Sequence, residues 1–404
     1  MTRQKVCITT LEFPPDVGGV GESVYRISQM LVELGYDVHV AVFHSKHRKA
    51  SGQSPERAGY RTTEQEGITV HRIRSAMRST EDAAVQDYLC EVYTQLKALY
   101  QRYQFDLFHA FFLNETGFLT TLLGREHNVP VINSIRGSDL HKHVFNPKQH
   151  APIAWTLENS AWTTFVSRDL QHRATVLVPT ITNRSSAFWN SIVPIDFSQL
   201  PTPALKERLQ GTVIGSVGRF RDKKGIDDLI EACELLPPEL AFTLLLVGDF
   251  AEKEKDYWQA FVNNSRVADR VVVTGMVPRI DALSYLSYMD VFTIPSTHDG
   301  CPNALLEAML AGRAIVGTNV DAIGEILADG VDSLVVNPGS PVELAVAIEK
   351  LARSPQRRQQ LGIAARQKVL THLAPAVEQD NWQQVYEQVL GKSTYVLGKQ
   401  LAIA

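Results

Sequence analysis

Residues Thr293–Gly317 read TIPSTHDGCPNALLEAMLAGRAIVG, and this stretch decides the fold. Val291–Ile294 is the end of a buried strand. A loop follows with Asp299, Gly300 and Cys301, where Cys301 lends its backbone rather than its sulfur. Pro302 suits a first helical turn, where its missing N–H would be unpaired anyway. Asn303–Ala311 holds strong helix formers, among them Ala304 and Leu305, and Gly312 suits a left-handed end. A strand, a glycine-bearing loop and a helix start together form an anion site, because unpaired N–H groups and the positive dipole end face one spot. Glu307 lies about one turn into the helix. Taken alone, the stretch fits equally an ordinary βα unit with a surface acid.

The same alternation extends on both sides. Strands are expected at Thr212–Val217, Leu240–Val247, Val271–Thr274, Ala314–Thr318 and Leu334–Val336, with helices at Ile226–Leu235, Asp256–Val262, Ile280–Tyr288, Val342–Leu351 and Pro355–His372. The loop Gly218–Gly225 places Arg219 and Lys224 beside a helix start. In physical terms this is a diphosphate clamp, an arginine fork plus a compact ammonium. A pair of ordinary surface cations is the alternative. Gly275–Pro278, with Val277, is a third turn at a strand end.

The first half repeats the pattern. Lys5–Leu11 is a strand, and Pro14-Pro15 precede Gly18, Gly19, Val20 and Gly21. A helix Ser23–Leu34 and a strand Val38–Phe43 follow. The glycines let backbone approach a ligand, but their spacing is not the dinucleotide fingerprint, and a plain tight turn is the alternative. Residues 44–67, with Lys46, Arg48, Lys49 and Arg57, read as an exposed loop. Ile68–Ile73 is a strand; Arg74 and Arg78 after it form a solvated loop or a basic surface for an acidic acceptor or a lipid headgroup. Glu81–Tyr103 is helical. In the strand Asp106–Ala110, His109 reads as a hydrogen-bonded core histidine. Phe118–Arg125 is a helix, and Val129–Ile135 is a strand that ends in Arg136-Gly137-Ser138-Asp139. Polar residues at such an end lie where parallel sheets bind ligands. Pro152–Asn159 and Arg168–Ala174 are helices around a strand Trp162–Ser167. Residues 176–210, with four prolines, read as a linker.

The expected fold class is α/β, two doubly wound parallel-sheet (Rossmann-like) domains facing a cleft. The first spans 1–197, and a last helix, Pro375–Leu390, carries Trp382 and Tyr386 on one face. The second spans 198–374. The chain has 404 residues and a formal net charge of −4, so no basic excess points to nucleic acid. The four cysteines show no metal-ligand spacing, and no metal site is expected. The opening MTRQKVCITT runs into a strand without a signal-type apolar region, and no run of about 18 apolar residues occurs. A cytoplasmic protein is expected, with peripheral contact at the inner face of a membrane left open.

At this point the residues resemble a family. Arg219…Lys224-Gly225, Gly248-Asp249, Gly275, Pro295-Ser296, Asp299-Gly300-x-Pro302 and Leu306-Glu307-Ala308-Met309 resemble the C-terminal domain of the retaining glycosyltransferases of the two-Rossmann-domain (GT-B) type, family four. Pro14-Pro15…Gly18-Gly19-Val20-Gly21 resembles that family's donor-approaching loop. The resemblance implies a metal-independent enzyme with no cofactor, whose first domain is completed by the C-terminal helix in 375–404. Its donor is a UDP- or GDP-linked hexose, and its hydroxyl acceptor is a small molecule, a glycan or a lipid-linked group. It also implies that Arg219 and Lys224 bind the donor diphosphate, that Glu307 holds the ribose, and that Asp299 meets hydroxyls of the transferred sugar. Backbone N–H groups of Gly19 and of Asn303–Leu305 would meet phosphates, and Gly275–Pro278 would border the base. Two departures stand out. Asp299 replaces the family's usual glutamate and is shorter by one methylene, about 1.5 Å. Arg136 stands where many members have histidine; it cannot act as a base but can bind an anion, and Asp139 could accept a hydrogen bond from a hydroxyl. A sugar phosphorylase, an epimerase or a degenerate sugar-nucleotide-binding protein on the same architecture are the alternatives.

Overall fold

The computed structural model describes residues 3–16, 18–43, 58–75 and 82–391. The basic segment 44–57, Arg78, Glu81 and the tail 392–404 lie outside the described residues. The chain divides into two units, Met1–Phe188 with Glu378–Ala404, and Trp189–Val377. Residues 189–197 thus fall in the second unit, although the sequence places the boundary after 197.

The first unit is built on an eight-stranded sheet. Its strands are β1 (Lys5–Thr10), β2 (Asp37–Phe43), β3 (Gly59–Gln65), β4 (Ile68–Arg74), β5 (Leu107–Phe111), β6 (Val131–Ile135), β7 (Trp162–Phe165) and β8 (Ser185–Ala187). They lie in the order β3-β4-β2-β1-β5-β6-β7-β8. All neighbours are parallel except the antiparallel pair β3 and β4. β1, β2 and β5 are buried almost throughout, as expected for a sheet covered on both faces.

Two strands were not expected. β3 falls in the segment read as a loop, and β8 in the segment read as a linker. β3 is GYRTTEQ and mostly exposed; backbone pairing with β4 holds it at the edge, so it carries no apolar alternation. The helix Gly19–Glu33 covers the sheet with the fully buried stripe Val24, Ile27 and Leu31.

The helix Pro375–Val389 returns the chain to this unit from Glu378 onward. Trp382 and Tyr386 are buried on one face of it, and Arg26 pairs with Glu378 at 2.9 Å. Tyr386 Oη lies 2.8 Å from His109 Nδ1, and His109 Nε2 lies 2.7 Å from Ser134 Oγ. Both ring nitrogens of this mid-strand histidine are therefore satisfied, as expected for a core residue. Burial, with the nearby Arg136 charge, pushes its pKa down to about 3.

The second unit carries a six-stranded sheet with parallel neighbours throughout. Its strands are β9 (Thr212–Val217), β10 (Phe242–Val247), β11 (Val271–Val273), β12 (Val291–Ile294), β13 (Ala314–Thr318) and β14 (Leu334–Val336), in the order β11-β10-β9-β12-β13-β14. Successive residues of β10 enter opposite hydrophobic clusters, Leu244 and Leu246 one, Leu245 and Val247 the other. The connection direction reverses between β9 and β12, so the loops after these two strands flank a topological switch point. Ligands of open α/β sheets bind at such a crevice. No helix among the described residues is long and apolar enough to cross a membrane.

Candidate active site

The loop after β9 tightens into a turn of 3-10 helix, Asp222–Lys224, and ends at Gly225 in the left-handed region (φ 61°). The helix Ile226–Glu234 starts there. A β-carbon on Gly225 would lie 2.0 Å from the carbonyl oxygen of Pro295. Only glycine allows this approach. It seats the β9 loop against the loop after β12, and Thr297 N–H donates to Lys223 O at 3.0 Å across the seam.

The approach brings charges together. The Lys224 ammonium pairs directly with Asp299 Oδ2, and Lys223 Nζ lies 3.8 Å from Oδ1. Burial acts to raise the Asp299 pKa, but the two ammonium groups outweigh it and hold the carboxyl below its ordinary range. The backbone of the loop is fixed separately: Asp299 N–H donates to Asp321 Oδ2 at 2.7 Å, and Ala322 N–H donates to Gly300 O at 3.3 Å. Asp321 itself is a non-glycine residue at φ 43°.

Arg219 is exposed, and its side chain makes no hydrogen bond or ion pair among the described residues. Its neighbour Phe220 is buried and bridges to Phe250, which fixes the backbone beneath it. Asp249 accepts from Lys255 at 2.8 Å; that bond, aided by the more distant Arg219 charge, holds its carboxyl low.

The helix Asn303–Leu310 follows Pro302, and no side chain caps its start. Asn190 Nδ2 donates to Cys301 O at 3.1 Å, so Cys301 takes part through its backbone. Glu307, 8% exposed, faces Arg279: Nη2 and Nε of the guanidinium lie 2.9 and 3.2 Å from Oε1. Arg279 opens the helix Arg279–Leu286, directly after the Gly275–Pro278 turn. Val277 in that turn packs on the apolar core, while Met276 is 72% exposed. Sequence reasoning missed Arg279 and Asp321. A cation one residue beyond a strand-end turn was the available signal for Arg279. Asp321 had none, because an unusual φ is not written in residue type.

In the first unit, Gly18 precedes the helix Gly19–Glu33 without a capping side chain. A β-carbon there would meet Glu12 Oε2 at 2.0 Å. Arg136 Nη2 donates to Ser23 Oγ at 2.9 Å, and Ser23 Oγ donates to Gly19 O, so Arg136 stands over the helix's first turn near Gly19 and Val20. Arg72 holds the preceding loop, donating to Phe13 O and Asp16 Oδ2. Asp139 lies in the short helix Ser138–His141 that follows β6. It is fully buried, and its Oδ1 accepts the Leu113 N–H at 2.9 Å. Burial raises its pKa. It positions the loop after β5 through Oδ1, while its buried Oδ2 has no hydrogen-bond partner among the described residues.

Fold and site together define a protein of two Rossmann-type units, with cations and an uncapped helix start gathered at a switch-point crevice. The profile described as Glycosyl transferases group 1 matches residues 211–354, and that described as Glycosyl transferase 4-like domain matches residues 18–185. The chain belongs to the group 1 glycosyltransferases, with the GT-B fold. It is 31% identical to 2-deoxystreptamine glucosyltransferase of Streptomyces kanamyceticus over 163 residues, which cover 38% of this chain and 42% of that protein. The chain spans about half the length of the curated relatives it matches first. Sucrose-phosphate synthase from Thermosynechococcus elongatus superposes with a TM-score of 0.77 at 18% identity, covering 97% of this chain and 100% of that one. Anabaena Alr3699/HepE in complex with UDP-glucose does so with a TM-score of 0.68 at 15% identity, covering 96% and 100%.

Proposed function

We propose that this chain is a retaining glycosyltransferase that moves a hexose from a nucleoside-diphosphate sugar to a hydroxyl acceptor. The observation that carries the proposal is the meeting of Lys224, Lys223 and Asp299 beside the uncapped helix 303–310, at the β9/β12 switch point. Arg219 and Lys224 bind the diphosphate and stabilise it as it leaves. Glu307 holds the ribose, and the N–H groups of Asn303–Leu305 meet phosphate oxygens. These fixed cations supply the charge that a divalent ion supplies elsewhere, so the reaction runs without metal. The leaving diphosphate itself takes the acceptor proton on the same face of the sugar. The first unit, with Arg136, receives the acceptor. A UDP-linked donor is favoured by the likeness to a protein solved with UDP-glucose, with GDP as the second choice. The cytoplasm is the proposed compartment, which suits four free cysteines.

The test is release of UDP or GDP from a panel of nucleotide sugars in chelator, with the anomeric configuration of the product read by NMR. Transfer with inversion, or transfer that needs added metal, overturns the respective part. No nucleotide release with any donor–acceptor pair, and no binding of UDP or GDP, overturns the whole.

A further inference from the structure

We propose that the Lys224–Asp299 pair is an exchangeable latch: the diphosphate of the donor takes Lys224 from Asp299, and the released carboxylate turns to the hydroxyls of the transferred sugar. The inference rests on the donor reading above and assigns an order of events within that site.

Three observations carry it. First, the ammonium assigned to phosphate is already occupied by the acid assigned to sugar, and Lys223 stands 3.8 Å from that acid's other oxygen. Arg219, by contrast, is exposed, and its side chain makes no hydrogen bond or ion pair among the described residues. An arriving diphosphate therefore meets Arg219 first and must compete for Lys224. Second, the latch is reachable. The side chains of Lys224, Lys223 and Asp299 are 20%, 29% and 13% exposed. Third, the Asp299 backbone is anchored independently of its side chain, by its N–H to Asp321 and by Gly300 O to Ala322. The carboxylate can rotate while the loop stays in place. A carboxylate left on Lys224 would sit against a multiply charged anion, and like charges a few ångströms apart repel strongly. Exchange removes that conflict.

The experiment is calorimetric binding of UDP and of inorganic pyrophosphate to the full chain and to Asp299→Asn, Lys224→Ala and the double variant. In Asp299→Asn, UDP is expected to bind about tenfold tighter, because the competing anion is gone. In the Lys224→Ala background the same change should move UDP affinity less than about twofold, since no latch remains to release. Unchanged or weaker UDP binding in a folded Asp299→Asn protein overturns the latch. An equal gain in both backgrounds overturns it too, because general charge repulsion then explains the effect. If Asn at 299 impairs folding, carboxyl ¹³C NMR of the unaltered protein decides, with the Asp299 signal assigned through Asp299→Glu. That signal should shift on UDP saturation, and a stationary signal refutes the exchange. If the unaltered chain binds neither UDP, GDP nor pyrophosphate, the donor reading falls and the latch with it. If it binds them and only the variant pattern fails, the donor reading stands alone.

Discussion

Replacing Gly225 by alanine tests the seam that assembles the candidate site. Two costs add. The residue is held at φ 61°, where an L side chain costs about 1–2 kcal/mol. The new β-carbon would also lie 2.0 Å from Pro295 O and 2.9 Å from Pro295 C. Those are backbone atoms that cannot rotate away, so the loops must part, and overpacking of this kind costs about 1–3 kcal/mol more. The sum is about 2–5 kcal/mol. Gly339→Ala is the control: Gly339 sits at φ 68° in the same unit, and an added β-carbon there meets nothing within 4 Å. It should lose only the conformational part. Urea titration gives both values, followed on the transition of the second unit. At about 2–4 °C per kcal/mol for a unit of this size, the two melting temperatures should also separate clearly. Loosening the seam should weaken UDP binding in Gly225→Ala and leave it unchanged in Gly339→Ala. Equal destabilisation by the two substitutions would refute the argument that close approach, rather than φ alone, requires glycine at 225.

Three further outcomes follow from the same geometry. Lys224→Ala should lower transfer by about 10²-fold or more, the scale of losing one fixed oxyanion donor; near-normal turnover in steady-state assays removes Lys224 from the machinery. Arg279→Ala should raise the donor KM by about tenfold while costing under about 1 kcal/mol of stability, because the guanidinium is half exposed yet holds Glu307; an unchanged KM shows that Glu307 keeps its place without Arg279. The first unit should lose stability in mild acid. His109 is held down to about 3 and His71 to about 4, in each case first by burial. Their folded-state pKa values lie below the unfolded value, so the unfolded chain binds the proton first. The stabilisation is complete above about pH 6.5 and falls as pH drops toward 4, by up to about 1.4 kcal/mol per pH unit for each histidine. A flat stability profile between pH 6.5 and 4.5 contradicts neutral, buried imidazoles.

Much of the fold was legible because its signals are local. The short β-branched and apolar runs KVCITT and FTLLLV read as buried strands, and they are. Pro302 and Gly312 bracketed a helix found at Asn303–Leu310. The misses share one cause. β3 and β8 are held by backbone pairing at the sheet margins, and neither needs an apolar pattern to form. In the site, Lys224 and Asp299 were legible as types, but their pairing was not. Asp139 was legible as a polar residue after a strand end, but its burial and its bond to Leu113 depend on where the loop after β5 passes.

By itself, then, the sequence determined the succession of strands and helices, the glycines at the loops and the chemical types at the strand ends. These are properties of neighbouring residues, set by periodicity, φ preference and charge. Only the tertiary structure decided which of those residues meet. Lys224 and Asp299 are 75 residues apart in the chain, and Arg279 and Glu307 are 28 apart. The sheet order β11-β10-β9-β12-β13-β14 sets β9 beside β12, and Gly225 lets their loops touch. Strand order is a choice among long-range pairings, and no local stretch of sequence encodes it.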